Sequence, residues 1–164
     1  MIIKKLSLVF IALFLTACAA LDAKGPQFQQ HQTINQNKTL VYLFKPDSAA
    51  RDGVTTCIAL TLNEVEHGCV KGKGYIVSEI EPGTYNAALV NKAAFGFKLL
   101  EFDLTAEPGE IIYLEYAFGR KLSSESLDTR SAQLGLSISL GKHAVASISE
   151  SEALSKLNTL LLSQ

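Results

Sequence analysis

Between Thr39 and Phe118 the sequence never runs far without a turn signal, and that spacing limits the folds open to the chain more than any other feature. Two near-copies of one signal are Glu81-Pro82-Gly83-Thr84 and Glu107-Pro108-Gly109-Glu110. Proline presets φ near −65° for the second place of a type II turn, and glycine accepts the positive φ of the third. Lys45-Pro46-Asp47-Ser48 and Lys71-Gly72-Lys73-Gly74 punctuate the text in the same way. The apolar runs between these stops are short: Leu40–Phe44, Thr55–Leu62, Val65–Val70, Tyr75–Ile80, Tyr85–Val90, Phe97–Thr105 and Ile111–Phe118. Such runs, spaced roughly eight to twelve residues apart, predict antiparallel strands. After a polar loop over Gly119–Ser131, Leu134, Leu136, Ile138 and Leu140 alternate with Gly and Ser, which predicts a further strand with one face on a core.

The period changes in the tail. Ser149 and Glu152 have the spacing of a capping box, and Ala153, Leu154, Leu157, Leu160 and Leu161 recur at helical spacing. The expected fold is therefore mainly β: an antiparallel β-sandwich over residues 39–164 with one C-terminal helix packed on it.

Cys57 and Cys69 flank one predicted hairpin, and side-chain parity makes a demand on them. A two-residue turn at Asn63-Glu64 pairs Leu62 with Val65 and, in an unbroken ladder, Ile58 with Cys69. The two sulfurs then lie on opposite faces, because side chains alternate along a strand. A disulfide thus requires an odd-length connection or a bulge. Two unpaired thiols, or a metal site that adds His67, are the other readings, although zinc sites carry four ligands, or three plus water, with paired spacings.

The start of the chain has a different grammar. Lys4 and Lys5 precede a charge-free run, Leu6–Ala17, of about twelve residues, too short to span a bilayer comfortably as a helix. Basic, apolar and small-residue regions in that order match a secretory signal. The ending Leu15-Thr16-Ala17-Cys18 resembles a bacterial lipobox, in which the cysteine sulfur receives a diacylglyceryl group and cleavage falls before it. This predicts a lipoprotein signal peptide over 1–17 and a chain lipidated at Cys18. Multiple acyl chains hold a protein on a membrane where one alone binds marginally. Ala19 is not the aspartate that resembles an inner-membrane retention signal, so the periplasmic face of the outer membrane is the expected location. Residues 18–38, with five glutamines between Gln27 and Gln36, show no strand or helix period and read as a flexible tether. Twenty such residues span roughly 25 Å as a coil, with a ceiling near 65 Å.

Composition narrows the function classes. The formal net charge is −1, and loss of Lys4 and Lys5 with the signal leaves about 13 basic against 16 acidic residues. Such an overall balance gives no electrostatic footprint for nucleic acid or for anionic lipid headgroups. Gly135-Leu136-Ser137-Ile138-Ser139 lacks the last glycine of a nucleophile elbow, and His-Glu-x-x-His does not occur. His31, His67 and His143 are scattered. Glu79, Glu81, Glu107, Glu110 and Glu115 could supply a carboxylate pair for glycoside cleavage, but four of them flank turns, where acidic residues are usually solvated. No catalytic residue and no cofactor is assigned.

Leu40-Val41-Tyr42-Leu43-Phe44-Lys45-Pro46-Asp47-Ser48, Gly74-Tyr75-Ile76-Val77, Glu81-Pro82-Gly83-Thr84-Tyr85 and the stretch from Leu104 to Leu114 together resemble a family of bacterial lipoproteins classed as domain of unknown function 2846. Lys45 stands where that family usually has arginine, and Glu64 where a turn glycine is common. The Pro-Gly turns and hairpin rhythm are also similar to PEGA-type surface modules. The resemblance implies a β-sandwich on a lipid tether with no catalytic residues to carry over. The expected function is a non-catalytic module that binds an envelope protein or glycan through sheet edges or turns. The alternatives are an envelope hydrolase using the turn carboxylates and a metal or redox sensor at Cys57, His67 and Cys69.

Overall fold

Each turn signal ends a strand. The computed structural model describes residues 22–30, 35–48, 57–92, 96–119, 130–131 and 143–164. The strands are β1 (Thr39–Lys45), β2 (Ile58–Leu62), β3 (Val65–Val70), β4 (Gly74–Ile80), β5 (Gly83–Asn91), β6 (Phe97–Ala106), β7 (Ile111–Phe118), β8 (Arg130–Ser131), β9 (His143–Ser147) and β10 (Leu161–Leu162). Helix α1 (Glu150–Leu157) lies between the last two. The predicted strand over Leu134–Leu140 falls outside the described residues.

Two five-stranded sheets result, one ordered β10-β4-β1-β7-β9 and the other β3-β2-β5-β6-β8. Their facing sides form the sandwich core, where Val41, Leu43, Ile76 and Leu114 of the first sheet join Ile58, Leu60, Leu89 and Phe102 of the second in one buried cluster. The fold is the expected β-sandwich with a C-terminal helix, and most strand pairs are antiparallel. Two pairs are parallel, β1 with β7 and β10 with β4.

The first sheet is buried on both sides. Its outer face, Leu40, Tyr42, Phe44, Tyr75 and Tyr113, lies beneath Ala153 and Leu157 of α1, Leu160 and Phe28. That double cover explains why Leu40–Phe44 of β1 is an unbroken apolar run without alternation, the pattern of a strand with no wet face. Ser149 caps α1 by accepting the N–H of Glu152, as the Ser-Glu spacing predicts. The helix stops at Leu157 with Asn158 as its C-cap, sooner than the leucine spacing predicts. The next leucines serve the sheet instead: Leu160 is buried, and Leu161–Leu162 pair with Gly74 and Tyr75 of β4.

The N-terminal segment departs from the expected free tether. Asp22–Gln30 lies along the β4/β10 edge, bridged at Asp22–Gly72 and Gln27–Leu161. The Ala23 N–H donates to Gly72 O at 2.8 Å, and Phe28 N–H to Leu160 O at 3.1 Å. Ala23 and Phe28 are buried, the Phe28 ring edge-on to Tyr42 and Tyr75. A Cβ at Gly25 would collide with the Leu162 carbonyl oxygen, so the close crossing depends on that glycine. One phenylalanine in a glutamine-rich stretch carries too little period to be read as packing, yet it meets an aromatic face that only the folded sheet assembles.

The strand registers sort the turns to two ends. Lys45 pairs with Gly74, Phe118 with His143, Ile58 with both Val70 and Asn91, and Asn91 with Phe97, so these ends gather around the Lys71–Lys73 connection. The opposite end holds Asn63-Glu64, Pro82-Gly83 and Pro108-Gly109, and is called here the Pro-Gly end. Gly109, at φ 74°, makes the expected type II turn, closed by the Glu110 N–H on Glu107 O at 3.2 Å. Gly83 is more extended, at φ 154°, because it already pairs with Ala106 in the ladder.

Candidate functional site

The parity argument for the cysteines resolves through a bulge. Asn63 and Glu64 form a two-residue turn with φ of 47° and 70°, both positive as in a type I′ hairpin. Leu62 therefore faces Val65, and Thr61 faces Glu66. The ladder then slips: Ala59 faces Cys69, so Leu60 alone stands opposite His67 and Gly68. This extra residue returns Cys69 to the face of Ala59 and Cys57, and Cys57 and Cys69 form a disulfide with Cα atoms 5.5 Å apart. Gly68 sits in the bulge at φ 130°, and a Cβ there would stand 3.0 Å from Cδ1 of Ile76. The bond lies on the outer face of the second sheet, since Ile58, Leu60 and Val70 point into the core. Both sulfurs are thus consumed in a covalent bond, which leaves His67 no thiolate with which to share a metal. The His67 carbonyl accepts the Ser78 hydroxyl, stitching the β3 edge to β4 across the sandwich.

The remaining sequence candidates do not converge. Cys18 and His31 lie outside the described residues. His143 Nδ1 is 2.8 Å from the Tyr116 hydroxyl, and its ring packs against Phe118. Among the carboxylates, Glu81 is paired with Lys38, and Glu110 accepts the backbone N–H of Glu107 at 2.9 Å to brace its own turn. Glu115 differs from the others. It sits on the outer face of β7 under α1, fully buried, with Lys156 Nζ 2.6 Å from its Oε2 and the same ammonium 2.8 Å from Glu152. Burial lowers the Lys156 pKa, but hydrogen bonds to Glu115 and Glu152 outweigh it and leave the pKa above the usual lysine range. This triad fastens the helix to the sheet.

The Pro-Gly turns and the disulfide hairpin lie within a stretch that matches a known sequence family. The family model for proteins of unknown function, DUF2846, matches residues 35–127, more than half of the chain. The chain belongs to DUF2846. No curated protein and no solved structure matches it. The DUF2846 match includes β1 to β7, whereas β8, β9, α1, β10 and the Asp22–Gln30 strap lie outside it.

A cleft follows that boundary. It has a volume of about 590 Å³ and is lined by Glu110, Ile111 and Tyr113 from the matched segment and by Gln30, Ile148 and Glu150 from outside it. Gln30 Nε2 donates to Glu150 Oε1 at 2.9 Å across one wall. Tyr113 stacks on Tyr42 with ring centres 5.3 Å apart, and its hydroxyl is buried with no hydrogen-bond partner among the described residues. Burial, followed by the neighbouring charge of Glu150 and by Tyr42, pushes its pKa up to about 12, so the phenol stays neutral at physiological pH. Tyr113 lies in the apolar run Ile111–Phe118. Its packing was legible from strand period, but the helix end that closes over its hydroxyl was not.

Proposed function

We propose that this DUF2846 protein is a lipid-anchored module of the bacterial cell envelope, held by acyl chains on Cys18 at the periplasmic face of the outer membrane, and that it binds an envelope protein or glycan without catalysing a reaction. The observation that carries the reading is the sequence Leu15-Thr16-Ala17-Cys18 at the close of a basic-then-apolar leader. The Cys57–Cys69 disulfide supports it, because such bonds persist in oxidising compartments and are rare in the cytosol. The partner surface is assigned to the turns of the Pro-Gly end, where Glu110 and Glu150 border the cleft beside the neutral Tyr113 phenol.

Metabolic labelling with palmitate tests the anchor: the parent chain takes up label and fractionates with outer membrane, and Cys18→Ser does neither. An unlabelled parent overturns the proposal. Crosslinking in cells from a photoreactive residue at Glu107, with Asp103 on the outer face of the second sheet as control, tests the binding role. A specific adduct from position 107 alone supports it, and identical patterns from both positions refute the assigned surface. Turnover of muropeptides by the purified domain, abolished by Glu110→Gln, would instead establish hydrolysis by the turn carboxylates.

A further inference from the structure

The strap changes what the anchor can do. Three residues separate Cys18 from Asp22, and the four Cα-to-Cα steps between them reach at most about 14 Å when fully extended. Asp22 is not free to wander. It bridges Gly72, its carboxylate accepts the Ser48 hydroxyl at 3.0 Å, and Lys73 Nζ lies 3.9 Å away. We infer, building on the reading of Cys18 as the acylated residue, that the domain is held against the bilayer by the end carrying Gly72 and docks there on an anionic lipid surface, with the Pro-Gly end pointing away.

The charge distribution fits that orientation. Among the described residues, Lys24, Lys71 and Lys73 cluster where the strap begins, with Phe97 43% exposed at the same end; Val65, 61% exposed, lies at the Pro-Gly end, so the orientation rests on strap length and charge rather than on exposed apolar area. Asp22 and Asp47 offset two of those three charges, and the Lys71 ammonium also donates to the Gln164 carbonyl, so the excess at this end is small but of the opposite sign to the Pro-Gly end. The Pro-Gly end instead carries Glu64, Glu81, Glu107 and Glu110, with Lys38 paired to Glu81. The two ends are a strand apart, about 20 Å for the seven residues of β1. Attraction to an anionic surface decays over about 8 Å at physiological ionic strength, so the lysines feel the surface and the distal glutamates do not. An amphipathic contact of basic and aromatic side chains suits the headgroup layer.

The test uses the full, lipidated chain in vesicles of phosphatidylethanolamine and phosphatidylglycerol at 3:1. A fluorophore is placed at Gln164→Cys, beside Lys71, or at Glu64→Cys on the Pro-Gly end, and quenched by headgroup spin-labelled lipid. Quenching at 164 is expected to exceed that at 64 by at least threefold. Sixteen Gly/Ser residues inserted between Ala20 and Leu21, which span roughly 22 Å as a coil, and separately Lys24→Glu/Lys71→Glu/Lys73→Glu, should each lower the ratio. Equal quenching at the two positions in a chain whose intact mass carries acyl groups overturns the docking and leaves the anchor standing. A chain with no acyl mass on Cys18 overturns both. A ratio unchanged by the charge reversals but abolished by the insertion refutes the lipid-charge contact and leaves only the short strap.

Discussion

Replacing Tyr113 by phenylalanine should make the protein more stable. The substitution keeps the ring that stacks on Tyr42 and deletes a hydroxyl that is buried without a partner. An unsatisfied buried polar group costs about 1–3 kcal/mol. The adjoining cleft lets the site relax, so a gain near the lower bound, about 1 kcal/mol, is expected. For a domain of about 125 residues this raises Tm by about 3–5 °C. The pH dependence gives an independent check. With a folded-state pKa of about 12 against an ordinary value near 10, the folded protein holds a proton that the unfolded chain releases. Stability is therefore unaffected by this group below pH 10 and falls as pH rises from 10 to 12. Tyr75, raised by burial, and Lys156, raised by its carboxylate partners, lose stability in the same direction, so the variant flattens the alkaline slope without abolishing it. Urea denaturation at pH 7 and at intervals from pH 9 to 12 reads both effects. A variant less stable than the parent by more than 1 kcal/mol at pH 7, with an unchanged alkaline slope, would falsify the account of an orphaned phenol.

Other substitutions examine the framework. Lys156→Ala leaves the Glu115 carboxylate buried without its ammonium and should cost about 2–3 kcal/mol by urea denaturation, below the full range for a buried pair because Lys156 is partly solvated; a loss under 0.5 kcal/mol contradicts the fastening role. Gly68→Val cannot keep φ at 130° beside Ile76, so the bulge is expected to give way, return the sulfurs to opposite faces and yield two titratable thiols; a fully oxidised variant of parental stability refutes the parity argument. Cys57→Ser with Cys69→Ser should cost about 3 kcal/mol through loop entropy alone, read as a lower denaturation midpoint with an intact circular dichroism spectrum. Glu64→Gly relieves a positive φ and should add about 1 kcal/mol, visible as a higher Tm; no gain implies that the Glu64 side chain has a compensating contact.

Strand content was legible because it depends on local chemistry. Proline and glycine stops bracketed seven runs, and β3 matches its predicted bounds from Val65 to Val70. The need for a bulge also followed from counting alone, since alternation is a property of every strand. Its position did not, because only Ile76 across the sandwich makes Gly68 the residue that can yield. His143–Ser147 and Leu161–Leu162 were missed as strands: each is short, and each pairs with a strand edge far away in sequence.

By itself the sequence determined where the chain turns, which residues alternate toward a core, and that Cys57 and Cys69 could meet only across an irregular ladder. The tertiary structure decided which faces are covered. Tyr42, Tyr75 and Tyr113 form one aromatic surface only once β4, β1 and β7 stand side by side, and that surface captures Phe28, Leu157 and Leu160 from opposite ends of the chain. Periodicity reports a residue's neighbours along its own element, whereas burial of a second face depends on which distant segment arrives to cover it.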